Sequence, residues 1–505
     1  METLSLLLSG LSVAIGPSYL LATFSGVMLG LAVGVLPALG PSAAIAILLP
    51  VILNFDPLVA MAALAGTYYG AMYGGAVTSI LLGIPGESAA MMTMLDGYPL
   101  ARSGQAGRAL GMSIFASFVG GLIALILFVA VSRQFAEFAI AFGPAEMTSL
   151  MIMSLCFTTV LGGDNKFKGF ISLALGVWLG MVGIDIISGS TRYTLGMPNL
   201  LEGFEFTVVA IGVFGLGQIL SALDQQSLGK LATPSYTFRS LFPRLADVLV
   251  CWKDLVVGSI IGFVVGVLPG AGATTSTIFA YAASKRMSKT PERFGKGAVE
   301  GVAAPEAANN AASYAAMIPL LTLGIPGSAT TAVMMGGLLM LGLQPGPLLF
   351  TTRPDFVWPL IGTFYIGNIM LVVLTIVLTP LLAAMVFVAP RYLFPMICSV
   401  VLYGIYSINN SVFDMGVGLA FGVLGYLFDK LRYPAVPALL GLILGPILEQ
   451  GIRRALISSQ GDPMIFLERP ISLTLLLLTL ALFVLPAAKR LLWKRPSRPR
   501  TLETP

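Results

Sequence analysis

Four short clusters in this sequence combine glycine, proline and oxygen-bearing side chains inside apolar stretches. The first ends on Pro37 and Gly40 with Ser42 behind it, and the second is Gly83-Ile84-Pro85-Gly86-Glu87-Ser88. The third runs from Pro269 and Gly270 through Gly272 into Thr274, Thr275 and Ser276. The fourth is Gly324-Ile325-Pro326-Gly327-Ser328, followed by Thr330 and Thr331. Proline removes a backbone donor and glycine permits conformations other residues resist, so a helix is expected to break at each cluster. A helix restarting after a break offers free N–H groups and the positive end of its dipole, and short hydroxyl side chains add donors. The half-helix before the break offers free carbonyls. The chemistry available is anion binding at the restarting helices, with Na⁺ held at backbone carbonyls near Gly83 and Gly324 and no arginine buried.

Catalytic alternatives find little support. The chain has no histidine, and its three cysteines (Cys156, Cys251 and Cys398) show no CxxC spacing, so neither a metal centre nor a disulfide framework is expected. No GxxxxGK[ST] occurs, so no P-loop binds ATP. Without paired acids or a nucleophile set, the chain is read as no enzyme and as needing no organic cofactor. A formal charge of +5 is small for this length and reports loop basicity rather than nucleic-acid binding.

The elements that must position the clusters are membrane helices. Of 505 residues, 57% are hydrophobic and only 10% charged, against roughly a quarter charged in soluble domains. Apolar runs of about 20 residues, the length that crosses a bilayer core, recur from end to end. The fold class is an all-α polytopic membrane protein. No basic n-region precedes the first apolar stretch, so a cleaved signal peptide is not expected. Residues 1–18 suit a helix lying at the interface. Spans are expected near 109–131, 138–162, 169–188 and 206–222, then near 356–388, 393–408, 412–428, 434–448 and 471–488.

The clusters repeat in order. Gly26, Gly30, Gly34, Pro37 and Gly40 match Gly258, Gly262, Gly266, Pro269 and Gly272 at one constant offset, and the Gly-Ile-Pro-Gly break follows in each half. Residues 1–222 and 254–448 therefore read as two repeats, each with a re-entrant-type hairpin, a broken helix and further spans. A linker (223–253) separates them, and an extra loop and span (449–488) and a basic tail (489–505) follow. With the tail placed in the cytoplasm, cytoplasmic loops hold 22 of the 28 basic residues, as the positive-inside rule expects. The two halves then emerge in opposite orientation, and inverted-topology repeats are a transporter signature. The GxxxG runs read as close-packing surfaces, whereas the proline-bearing tips read as binding elements. Within Pro305-Glu306-Ala307-Ala308-Asn309-Asn310-Ala311, the two asparagines are site candidates. Glu306 stands open between an intramembrane site and the preceding basic loop, 285–296. Asp96, Tyr98 and Asp185 are expected at membrane interfaces.

These motifs together resemble the large membrane subunit of the tripartite tricarboxylate transporter family. The matching stretches are Gly66-Thr67-Tyr68-Tyr69-Gly70, the break at 83–87, Leu95-Asp96-Gly97-Tyr98-Pro99-Leu100, and Arg192-Tyr193-Thr194-Leu195-Gly196. Pro305 to Ala311, Leu323 to Gly327, and Gly342-Leu343-Gln344-Pro345-Gly346-Pro347 complete the pattern. Gly83 departs from it, standing where many relatives have asparagine. The resemblance implies a bacterial inner-membrane protein working with a small membrane subunit and a periplasmic solute-binding protein that delivers carboxylates such as citrate, with uptake following a cation gradient. The tips would bind the carboxylate, and movement of the tip-bearing region would alternate access. An ion channel with the same broken helices, an intramembrane enzyme, and a self-sufficient Na⁺- or H⁺-coupled symporter are the alternatives.

Overall fold

A computed structural model describes residues 2–36, 39–52, 54–161, 165–185, 188–224, 237–268, 270, 272–385 and 390–492. Pro37, Pro269, the linker segment 225–236 and the tail beyond 492 lie outside the described residues. The described chain is almost entirely helical. Six of its helices are long and apolar enough to cross a membrane, and six shorter apolar ones accompany them. The protein is a polytopic helical membrane protein.

Local sequence sets the helix starts. Pro57 occupies the first turn of helix Pro57–Leu82, where its missing N–H costs nothing, and the Asp56 carboxylate accepts from Leu58 N at 2.9 Å. Asn165, Ser328 and Ser411 cap their helices in the same manner. The stops at Gly83 and Gly324 share one geometry. Each glycine ends its helix in the left-handed region, at φ 68°, ψ 28° and φ 68°, ψ 27°.

Two helix pairs organise the core. Helix Pro17–Gly34 lies against Pro57–Leu82, and Leu245–Val267 lies against Glu300–Ala315. A Cβ built on Gly26, Gly30 or Gly34 would stand 2.2, 2.3 and 2.3 Å from the carbonyl oxygens of Ala63, Thr67 and Ala71. On Gly258 and Gly262 it would meet Ala304 O at 2.5 Å and Ala308 O at 2.4 Å. Backbone touches backbone along both seams, so these GxxxG runs are packing surfaces. Every residue of Glu300–Ala315 is buried, and it faces Pro57–Leu82 through Tyr69 and Tyr314, whose ring centroids are 3.8 Å apart.

Several boundaries differ from the sequence reading. Instead of spans near 109–131 and 138–162, one helix of 35 residues, Ala106–Ile140, runs into a turn before Gly143-Pro144, and Pro144–Leu161 follows. At about 1.5 Å per residue the longer helix exceeds a bilayer core. The expected 169–188 span ends at Gly180, and strand Gly183–Ile184 pairs antiparallel with Thr191–Arg192. Arg192 and Arg453 both pair with Asp185 and Glu449, which ties that hairpin to helix Ala435–Ser458. The 206–222 span contains a π-helical segment, Ile211–Leu216. Helix Leu245–Val267 starts inside the expected linker. Helix Glu2–Ala14 packs against helix Pro354–Met385. Gly10 presses its backbone onto Trp358, with a Cβ there only 2.3 Å from Trp358 O.

Candidate functional site

Each Gly-Ile-Pro-Gly tip is seated on its own half's glycine run. A Cβ on Gly86 would lie 2.5 Å from Gly75 Cα and 3.0 Å from Gly34 O, and one on Gly327 would lie 3.3 Å from Gly266 O. The glycines thus let the non-helical turns settle onto the helix pair. Beyond the tips the two copies diverge. Ser328 caps the restarting helix Ala329–Met340, exchanging bonds with Thr331 in a capping box. Glu87 makes no such cap. Its Oε1 instead accepts from Asn309 Nδ2 at 3.3 Å.

Three of the four clusters meet. Gly270 N donates to Gly327 O at 3.0 Å, joining the third cluster to the fourth. Ser88 Oγ and Thr274 Oγ1 are 2.8 Å apart across the halves, joining the second to the third. The tip of 83–88, Gly270 with Thr274, and Gly324–Ser328 therefore form one constellation with Asn309. Ser88 is exposed, while Glu87, Thr274, Thr275 and Ser328 are half-buried, so polar atoms here stay within reach of water. Pro85 is half-buried, and Pro326 and Thr330 are buried beside these contacts. The first cluster has a different partner: Gly40 N donates to Gln218 Oε1 at 3.1 Å, and Gln218 Nε2 to Ser42 Oγ at 3.4 Å.

Gly270 is the tightest point. Its φ is 78°, and a Cβ would stand 2.2 Å from Thr158 Cα. Both the left-handed backbone and the close approach require glycine.

Helix Glu300–Ala315 supplies the polar floor. Asn309 and Asn310 are wholly buried, and Asn310 Nδ2 donates back to Glu306 O at 3.2 Å. Neither Asn309 Oδ1 nor Asn310 Oδ1 has a hydrogen-bond partner among the described residues. Buried acceptors of this kind call for a donor or a small cation. The carbonyls at the ends of helices Pro57–Leu82 and Met317–Leu323 are the groups here that could hold Na⁺. The Tyr68 hydroxyl lies against Ser313 and Ser328. Tyr68 and Tyr69 precede Gly83 by the same distances as Asn309 and Asn310 precede Gly324, so one repeat presents aromatics where the other presents amides.

The open position is decided. Glu306 is wholly buried and accepts from Thr93, Ser113 and Ser117, so it does not belong to the preceding loop. Asp96 is likewise fully buried. Its Oδ1 accepts from Gly295, Lys296, Gly297 and Ala298 N at 2.8–3.1 Å, and its Oδ2 from the Tyr281 hydroxyl at 2.8 Å. Tyr98 packs its ring under Gly83. The sequence reading missed Gln218, Thr158, Tyr68 and the hydroxyls around Glu306. Tyr68 was legible from the repeat offset. The others are single polar residues in apolar helices, with no local signal.

The constellation offers backbone N–H groups and hydroxyls from three breaks, amides from one buried helix, and one acid. It contains neither arginine nor lysine. Such a set is chemically suited to holding ions.

Residues 20–440 match the tripartite tricarboxylate transporter TctA family. An Agrobacterium vitis protein described as "Uncharacterized 52.8 kDa protein in TAR-I ttuC' 3'region" is 39% identical over 485 residues, 96% of each chain. A second, "Uncharacterized protein in TAR-II ttuC' 3'region" from the same organism, is 43% identical over 224 residues, 44% of this chain and 93% of its own length. No solved structure matches. With the match spanning most of the sequence and a relative 39% identical over 96% of it, the chain belongs to the tripartite tricarboxylate transporter TctA family.

Proposed function

We propose that this chain is the substrate-translocating subunit of a secondary transporter for tricarboxylates and other carboxylates such as citrate. A periplasmic solute-binding protein delivers the substrate, a small membrane subunit completes the complex, and a cation gradient drives uptake across a bacterial inner membrane. One observation carries the reading: breaks from the two halves converge, with Ser88 and Thr274 2.8 Å apart beside buried Asn309. Restarting helices there present N–H groups to carboxylate oxygens. Glu87 would repel a multivalent anion, so a bound cation is needed to offset both charges. Na⁺ at the carbonyls near Gly83 and Gly324 does this. The halves are read as repeats, supported by the matching helix pairs and shared break geometry, and their inverted topology with a cytoplasmic C-terminus is read from the asymmetry of basic residues. The test is reconstitution of all three components in vesicles. Citrate accumulation is expected to need both the binding protein and an imposed Na⁺ or proton gradient. Uptake indifferent to every gradient removes the coupling claim, and uptake undiminished without the binding protein favours the self-sufficient symporter.

The meeting of the tips also gives a direct test. Ser88→Cys with Thr274→Cys places two thiols where hydroxyls touch. Oxidation is expected to cross-link them, lock the tips together and stop transport, and reductant is expected to restore it. Full transport by the oxidised, cross-linked protein means the two tips do not separate in the cycle.

A further inference from the structure

We infer that Glu306 is a proton-carrying site, loaded and unloaded during transport. The inference deepens the transporter reading and relies on it for the coupling role. The carboxyl group is wholly buried in a helix whose every residue is buried. Its partners are three hydroxyls from two other helices: Thr93 Oγ1 at 2.5 Å from Oε1, and Ser113 and Ser117 Oγ at 3.2 Å from Oε2.

The neighbouring charges do not neutralise it. Helix Met91–Leu100 contributes Asp96, whose oxygens are closed by four backbone N–H groups and Tyr281. Helix Ala106–Ile140 contributes Arg108, which is bidentate to Asp247 of Leu245–Val267. That same helix adds Cys251 and Asp254, the latter accepting from Ser284. Helix Gly272–Met287 adds Tyr281 and the exposed Lys285 and Arg286. Pro57–Leu82 presents Tyr68, Tyr69 and Tyr73, the adjoining tip presents Glu87, and Glu306's own helix carries Glu300 and Tyr314. Among the described residues no lysine or arginine pairs with Glu306. A dry, unpaired carboxylate costs several kcal/mol or more, whereas the neutral acid costs far less.

The contact with Thr93 is a direct hydrogen bond, with the two oxygens 2.5 Å apart. Each hydroxyl accepts as readily as it donates, so the cluster accommodates a carboxyl O–H. The proton exchanges with water when the core opens: it binds a Glu306 oxygen on one side and leaves on the other, where the carboxylate is hydrated. The link to the substrate cleft is short. Asn309, one turn further along, holds Glu87 at the tip, and Thr93 lies on the helix that follows that tip.

Infrared spectra of the purified full chain at neutral pH, taken as wild type minus variant, test the protonation without any substrate. Wild type is expected to show a protonated carboxyl band persisting at neutral pH and absent from Glu306→Gln. An identical band in both proteins overturns the inference. Should that variant not assemble, Ser113→Ala with Ser117→Ala is expected to move the same band to higher frequency by removing two partners. An unmoved band overturns the inference equally. In vesicles holding the three components, Glu306→Gln is expected to keep exchange of labelled for unlabelled citrate while losing accumulation driven by a pH gradient. Accumulation at the wild-type level overturns the coupling role. Absence of citrate exchange by wild type itself defeats the function proposed above and leaves the infrared result to decide Glu306.

Discussion

Gly262→Leu is expected to leave almost no assembled protein, and Gly30→Leu is expected to do the same from the other half. The obstacle at each is backbone. A Cβ at 262 would lie 2.4 Å from Ala308 O and 2.7 Å from Ala308 Cα, and at 30 it would lie 2.3 Å from Thr67 O. A flexible side chain moves aside, but a helix backbone moves only as a whole. The pairs must therefore separate along their length, losing dispersion contacts at every turn. Ordinary overpacking costs about 1–3 kcal/mol, and a rigid backbone obstacle places these two above that range. The displaced helices carry Asn309, Asn310 and Tyr68, and each tip rests on a glycine of the same run, so binding is lost with packing. Gly342→Ala is the control: φ is 73° but nothing lies within 4 Å, so only backbone strain of roughly 1 kcal/mol is added. Yield of monodisperse protein and thermal unfolding in detergent measure all three. Gly262→Leu with a wild-type melting temperature would falsify the close-packing account.

Asp96→Ala is expected to be nearly as damaging, although the residue touches no tip. Its buried carboxylate closes four successive backbone N–H groups, 295–298, and the Tyr281 hydroxyl, with Ala298 and Tyr281 buried and Gly295 to Gly297 nearer the surface. Truncation strands Ala298 N and the Tyr281 hydroxyl in the interior at about 1–3 kcal/mol each, while the N–H groups of 295–297 lie nearer the surface and can turn to water. Water entering the vacated space offsets part of this, which leaves an expected loss of roughly 3–5 kcal/mol. Asp96→Asn keeps one oxygen for the four amides and offers an N–H₂ towards Tyr281, whose hydroxyl also accepts, so the expected loss is under half as large. Thermal unfolding of the two variants separates them. Equal destabilisation would show that charge, and not the count of satisfied donors, holds the loop.

How much was legible from residues can be argued cluster by cluster. Glycine and proline act through their own backbones, so the breaks at 83 and 324, the packing role of Gly26–Gly34 and Gly258–Gly266, and the repeat order could be read directly. Composition and run length fixed the membrane class for the same reason, because a bilayer tests each stretch locally. Helix ends were less legible. Where no proline or glycine marked the stop, as inside 106–140, tertiary packing extended the helix.

The candidate site was legible only in part. Ser88, Thr274 and Ser328 were named from the tips, and Asn309 from the polar run Pro305 to Ala311. That Ser88 meets Thr274, and that Gly40 and Ser42 turn to Gln218 instead, depends on contacts 176–186 residues apart. Asp96 and Glu306 show the limit. In sequence both are single acids in apolar surroundings, yet one is a structural clasp satisfied by backbone and the other a lone acid among hydroxyls. The difference lies in which donors the fold brings within 3.2 Å, because the worth of a buried charge is set by its neighbours. The sequence by itself determined where the chain must break and what class of solvent surrounds it, since those follow from each residue's own backbone and polarity. Only the tertiary structure decided which breaks converge and which buried acid is left without a cation, because both depend on groups far apart in the chain.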